Sequence, residues 1–135
     1  MNRRALDRLQ THGIKPTKQR LALSRLLFEG EHRHVTADQI FDEAISEGVG
    51  ISLATVYNTL HQFARAGLLR EVAVDLGQSY FDTNISRHHH FFDADNGRLV
   101  DIPEDEIGIA KLPIPPDGQQ IVSVEVVVRL RRKGT

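Results

Sequence analysis

The sequence predicts an α+β protein, with helices in its first half and strands in its second. Two observations carry this. Through residues 3–66, apolar residues recur at helical spacing between capping signals. From residue 69 onward, short runs rich in β-formers and bounded by turn residues take over. A chain of 135 residues suits one domain or two small ones sharing an interface, and 40% apolar content is enough to build a core.

Each element has its own justification. The first helix runs from about Arg3 to His12, with Ala5, Leu6 and Leu9 on one face and Gly13 as its stop. Pro16 and Thr17 open a second helix, with Thr17 as N-cap and Leu21, Ala22, Leu26 and Leu27 as its apolar stripe. Thr36 begins a third, where Gln39 completes a capping-box pattern. Ile40, Phe41, Ala44 and Ile45 then face inward as far as Gly48. Ser52 caps a fourth, with Leu53, Val56, Leu60, Phe63 and Ala64 inward and Gly67 as terminator. Leu69 to Val74, a turn at Asp75-Leu76-Gly77-Gln78, and Ser79 to Thr83 form a hairpin. Helices followed by a hairpin give the outline of a winged-helix domain, a helix-turn-helix variant.

Beyond residue 84, His88 to Asp93 and Gly97 to Ile102 predict short strands around an Asp95-Asn96-Gly97 turn. Glu104 to Leu112 reads as a short helix with an acidic start, and Pro113, Pro115, Pro116 and Gly118 as a stiff connection. Ile121 to Arg132 alternates, with Val122, Val124, Val126, Val128 and Leu130 facing one way. A module of about 50 residues cannot stabilise so long a strand alone, so a second subunit is expected to pair or pack with it. The expected division is a winged-helix DNA-binding domain at residues 1–84 and a small α/β dimerisation domain at residues 85–135.

Composition narrows the function. With no Cys there are no disulfides, thiolate zinc sites, iron–sulfur clusters or Cys nucleophiles, so any metal falls to the seven His and the carboxylates. No apolar run approaches the roughly 18 residues of a membrane span. The Arg-rich start lacks the apolar centre of a secretory signal, and a cytoplasmic protein without membrane contact is expected. No placed general base, nucleophile or phosphate loop accompanies the histidines, so an enzyme is not expected. The net charge of −1 is uneven: eight Lys and Arg face three acids within residues 1–33, a net of +5, which leaves −6 for the rest. That suits a polyanion at one end, or an ordinary solvated helix face.

Two motifs carry chemistry. On the fourth helix, Thr55, Asn58, Gln62 and Arg65 lie opposite the apolar stripe, flanked by Tyr57 and His61. Asn and Gln can bond adenine in bidentate fashion, and Thr or Tyr can pack on a thymine methyl. Lys15, Lys18 and Arg20 would add phosphate contacts; a plain polar surface is the alternative. The second motif is His88-His89-His90, which in a strand puts His88 and His90 on one side and His89 on the other. Imidazoles with Asp82 and His34 suit a divalent metal, and a His run also suits haem or a solvated loop.

Gly50-Ile-Ser-Leu-Ala-Thr-Val-Tyr57, preceded by Lys15-Pro-Thr-Lys-Gln-Arg20 and His32-Arg-His-Val-Thr-Ala-Asp-Gln-Ile40, resembles the ferric uptake regulator family in order and spacing through residues 12–83. Tyr80-Phe-Asp-Thr-Asn84, His88-His-His-Phe-Phe92, Val100-Asp-Ile102, Leu112-Pro113 and Val127-Val-Arg-Leu-Arg131 resemble that family's iron response regulator branch. The resemblance implies a DNA-binding transcription regulator, acting as a homodimer on double-stranded DNA. It implies minor-groove contact by Lys15, phosphate contact by Arg20 and base contact by Tyr57. Ser52, Thr55, Asn58 and Gln62 complete the DNA-facing set. Asn58 stands where the family commonly has Arg, which favours adenine over guanine. His34 and Asp82 match two ligands of a site for iron, manganese or zinc, which either His89 or His90 completes. The family's Cys-x-x-Cys pairs are missing, so no structural zinc held by four cysteines is expected. The branch implies haem sensing, with His88, His89 or His90 as axial ligand and a haem-delivering protein as partner. A plain metal-dependent repressor or peroxide sensor is the alternative within the family; a haem or metal carrier is the alternative outside it.

Overall fold

Among the described residues, the helices Lys18–Phe28, Ala37–Ser46 and Leu53–Arg65 each begin at a hydroxyl side chain. Thr17 Oγ1 accepts from the Arg20 amide at 3.3 Å, Thr36 Oγ1 from Gln39 at 3.1 Å, and Ser52 Oγ from Thr55 at 3.1 Å. Each satisfies a donor that the first turn leaves without a helical partner. The computed structural model describes residues 3–75 and 78–134, and the chain divides after Ile85 into two units.

The first unit holds α1 (Arg3–Thr11), α2 (Lys18–Phe28), β1 (His34–Val35), α3 (Ala37–Ser46), α4 (Leu53–Arg65), β2 (Arg70–Asp75) and β3 (Gln78–Asp82). Its strands form an antiparallel sheet in the order β1-β3-β2. The expected hairpin is present, although Leu76 and Gly77 at its turn lie outside the described residues. α3 and α4 end alike, with Gly48 at φ 75° and Gly67 at φ 87°. At each end the following amide reaches back to close the last turn, Val49 to Ala44 O and Leu68 to Phe63 O, both at 2.9 Å. A left-handed residue is required there, and glycine adopts it without strain.

Leu9, Leu23, Leu27, Val35, Ile40, Val56, Leu60, Phe63 and Phe81 form one core. The expected stripes need small corrections. Leu23 and Ser24 are fully buried on α2, while Leu21 and Leu26 only flank the core. Ile45 is exposed because it sits about 100° round α3 from the buried Ala44, off the Ile40 and Ala44 stripe, and Leu53 is exposed at the first position of α4.

The second unit holds β4 (His88–Asp93), β5 (Arg98–Pro103), a single 3₁₀ turn (Glu104–Glu106) and β6 (Val127–Leu130). β4 is central, antiparallel to β5 and parallel to β6. Two expectations are corrected here. The helix expected at Glu104–Leu112 shrinks to the 3₁₀ turn: Ile109 and Leu112 are exposed, and without an apolar face to bury so short a helix does not persist. The strand expected over Ile121–Arg132 is confined to Val127–Leu130. Before it, Val122 and Val124 are exposed, and residues 107–126 hold no helix or strand.

Arg33, one of the eight cations within residues 1–33, is an internal tie. Its Nη1 donates to Leu26 O (3.2 Å) and Glu43 Oε1 (2.9 Å), and its Nη2 to Glu43 Oε2. Its amide donates to Thr83 Oγ1 at 2.9 Å, and its carbonyl accepts from the Thr83 amide at 3.1 Å. One residue thus joins α2, α3 and the end of β3. Replacing Arg33 by Ala should destabilise the first unit by about 2 kcal/mol. Lys should recover less than half of that, because an ammonium cannot form the two-pronged pair. Urea unfolding followed by circular dichroism measures both, and equal stability of R33A and wild type would remove the tie.

Candidate nucleic-acid interface and metal ligands

The DNA-facing expectation rests on one side of α4. Val56, Thr59, Leu60 and Phe63 hold the other side against the core, leaving Tyr57 (49% exposed) and Asn58 outward. An open groove of about 440 Å³ runs between α4 and the start of α2, lined by Thr17, Gln19, Arg20, Thr55, Asn58, Gln62 and Arg65. Two bonds set its walls. Gln19 Nε2 donates to Gly50 O at 2.7 Å, joining α2 to the turn before α4. Arg20 Nη1 donates to Lys15 O at 3.0 Å and fixes the Lys15-Pro16-Thr17 turn. The groove therefore joins amide side chains able to read base edges with a guanidinium able to hold a phosphate. Lys15 is exposed but is not among the groove's lining residues. Ser52 has a different job at the side chain: besides accepting from the Thr55 amide, it donates to Thr55 Oγ1 at 2.9 Å.

The histidines form a set in each unit. In the first, His34 and Asp82 are direct cross-strand partners, with His34 Nε2 3.2 Å from Asp82 Oδ2. Asp82 is buried, and its Oδ1 accepts from the Asn84 amide at 2.9 Å. In the second, His88 and His90 share one side of β4, their rings 4.5 Å apart. Both Nε2 atoms approach the same oxygen, Oδ1 of Asp101, at 3.3 and 3.5 Å.

Sequence reasoning misses Asp101. Only the β4–β5 register, which places it opposite His90, brings it to the histidines. His88 Nδ1 lies 2.6 Å from Ser86 O, and a carbonyl only accepts, so Nδ1 carries the proton. In the neutral ring that turns the Nε2 lone pair toward a carboxylate oxygen. Two imidazoles and a carboxylate are a fitting donor set for iron, manganese or zinc.

His89 goes elsewhere. Its Nδ1 accepts from the Val126 amide at 3.0 Å, so of the two histidines left open as metal ligands, His90 faces Asp101 and His89 does not. All three imidazoles are buried, and β4 is paired along both edges.

Fold and site together define a class: an α+β metal-dependent transcription regulator with a DNA-binding unit and a dimerisation unit. The chain belongs to the ferric uptake regulator family, whose profile matches residues 11–129. It is 31% identical over 127 residues to the ferric uptake regulation protein of Pseudomonas aeruginosa, across 93% of this chain and 95% of that one. It is 37% identical over 93 residues to the peroxide-responsive repressor PerR of Staphylococcus aureus, across 69% of this chain and 62% of that one. The solved structure of the Pseudomonas aeruginosa ferric uptake regulator with manganese superposes with a TM-score of 0.73 at 26% identity, covering 96% and 98% of the two chains.

The two faces of β4 make a direct contrast. His88→Ala, His90→Ala or Asp101→Ala should each weaken manganese or zinc binding at least tenfold in calorimetric titration. His89→Ala should leave that affinity within about twofold while lowering thermal stability, since it orphans the Val126 amide.

Proposed function

We propose that this chain is a homodimeric, divalent-metal-dependent DNA-binding repressor, whose α4 reads the major groove as the recognition helix of a winged helix. The observation that carries the proposal is the groove in which Asn58, Gln62 and Thr55 stand beside Arg20 and the capped start of α2. Lys15 and Arg20 contact the phosphates and backbone; Tyr57, Asn58 and Gln62 contact base edges; Ser52 and Thr55 set the start of the helix. Two His/carboxylate sets are the metal ligands, His34 with Asp82 and His88 with His90 and Asp101. A bound cation would supply charge neutralisation for the Asp82 and Asp101 carboxylates. Affinity for DNA is electrostatic and salt-dependent, while sequence preference comes from the amide side chains.

The dimer reading is supported by the second unit, where Ile109, Leu112, Ile114, Ile121, Val122 and Val124 are all exposed. Ile114 and Val122 stand 93% and 82% in solvent. So much apolar surface on one small unit is best explained by a second copy that covers it.

Peroxide sensing is the second reading, favoured by the relation to PerR. The haem reading of the iron response branch would use His88, His89 or His90 as axial ligand, fed by a haem-delivering protein. The geometry favours metal: the triplet is buried in the central strand, His89 is bonded to the Val126 amide, and His88 and His90 face Asp101.

Fluorescence anisotropy with a duplex enriched from a random pool tests the proposal. Chelated protein should bind that duplex weakly, and manganese should restore binding. Arg20→Ala should weaken all duplexes alike and reduce the salt slope by about one, whereas Asn58→Ala should cost about 1–3 kcal/mol at adenine positions only. Binding that ignores both metal and Asn58 would refute the proposal. Loss of DNA binding when the iron-loaded protein meets peroxide would select the second reading. A haem absorption band abolished by triple His→Ala would select the haem one. Separately, Val122→Glu should shift the sedimenting species from dimer to monomer.

A further inference from the structure

α4 carries a histidine that neither the groove nor the metal sets use. His61 lies one turn beyond Tyr57, and the two rings meet edge to face, centroids 4.4 Å apart at 61°. On its other side the imidazole meets Phe81 of β3, 5.2 Å away at 86°. Its Nδ1 lies 3.1 Å from Oε1 of Glu71 on β2. The second oxygen of that carboxylate accepts from Ser79 Oγ on β3 at 2.8 Å. Nε2 is buried and has no hydrogen-bond partner among the described residues.

An unpartnered buried nitrogen destabilises a fold, and an aliphatic side chain would fill this site without that penalty. Packing alone therefore does not select an imidazole here. What the ring supplies is a flat edge for Tyr57 and an Nδ1–H for Glu71. Tyr57 is half exposed, and an edge-to-face neighbour held from behind limits the rotamers open to its ring.

We infer that His61, held by Glu71, is a positioning residue for DNA reading: it sets the Tyr57 ring and ties α4 to the β2–β3 hairpin. The inference rests on α4 being the DNA-facing helix. Its effect falls on specificity rather than on overall affinity, because neither His61 nor Glu71 contributes to the phosphate contacts. The two residues act as a unit, so removing either breaks the same relay.

The test compares metal-loaded wild type with His61→Phe, Glu71→Ala and the double variant, on the enriched duplex and on a scrambled duplex of equal length. His61→Phe keeps an aromatic ring and loses the donor; Glu71→Ala changes a part-exposed strand position and spares α4 altogether. Each single variant should lower the ratio of specific to scrambled affinity about tenfold. The double variant should lower it no further, because the losses are shared. Scrambled binding should stay within twofold. Additive losses, equal losses on both duplexes, or an unchanged ratio would each overturn the relay. Should His61→Phe fail to fold, the ratio for Glu71→Ala decides alone. A wild type with no preference for the enriched duplex overturns the DNA reading of α4 and the relay with it, whereas a wild-type preference that both variants keep overturns the relay alone.

Discussion

The pairing of a two-residue strand with β3 sets where the chemistry of the first unit stands. β1 places His34 opposite Asp82 and Val35 opposite Phe81. Val35 and Phe81 are both buried in the core, while His34 turns to the carboxylate. A slip of one residue would exchange those faces, sending an imidazole inward and a valine outward. Two ladder positions cannot resist such a slip unaided. The resistance comes from Arg33, whose backbone bonds Thr83 on both sides while its guanidinium ties Leu26 and Glu43. The His34–Asp82 contact is thus a product of a tie one residue earlier, and the metal chemistry proposed there inherits its geometry from it.

The second unit poses the opposite problem, since its polar groups outweigh its core. Its buried apolar side chains, among the described residues, are Phe92, Leu99 and Ile102, while three imidazoles fill the first half of its central strand. Buried imidazoles are tolerated only when their nitrogens are engaged. His88 bonds Ser86 O, His89 takes the Val126 amide, and Asp101 faces both His88 and His90. The His89 bond also anchors the chain as it enters β6, where pairing with β4 begins. In such a unit, ligand chemistry and folding stability are the same interactions seen from two sides.

How much of this the sequence could reveal follows from the range of the signals. Thr17, Thr36 and Ser52 act on amides three residues away, and Gly48 and Gly67 end helices by local geometry, so each could be read directly. The side shared by His88 and His90 follows from strand alternation alone. Asp101 could not be found that way, because its meeting with the histidines depends on the β4–β5 register. Arg33 could not either: its partners lie 7, 10 and 50 residues away. The valine alternation of residues 121–130 was a true pattern with an incomplete consequence. It makes a segment fit for a sheet, but a strand also needs a neighbour with free backbone groups, and within the described chain β4 offers one only to Val127–Leu130.

The uneven charge takes on a narrower meaning once these ties are known. Arg33 is spent inside the first unit, and Arg8 lies over the Phe28 ring, 4.6 Å from its centroid. Among the groove's lining residues the cations reduce to Arg20 at the start of α2 and Arg65 at the far end of α4, with Lys15 and Lys18 exposed nearby in sequence. On the proposed DNA reading, so few cations would give modest non-specific affinity, and the acidic remainder of the chain would oppose DNA at long range. On that reading discrimination would come from the placement of a few side chains on α4. That placement depends on bonds within the first unit: the Ser52 cap, the Gln19–Gly50 bond, the Arg20–Lys15 bond and the His61–Glu71 contact. A DNA reader with so few charges would need to be stiff, and the bonds around α4 are where this chain would supply the stiffness.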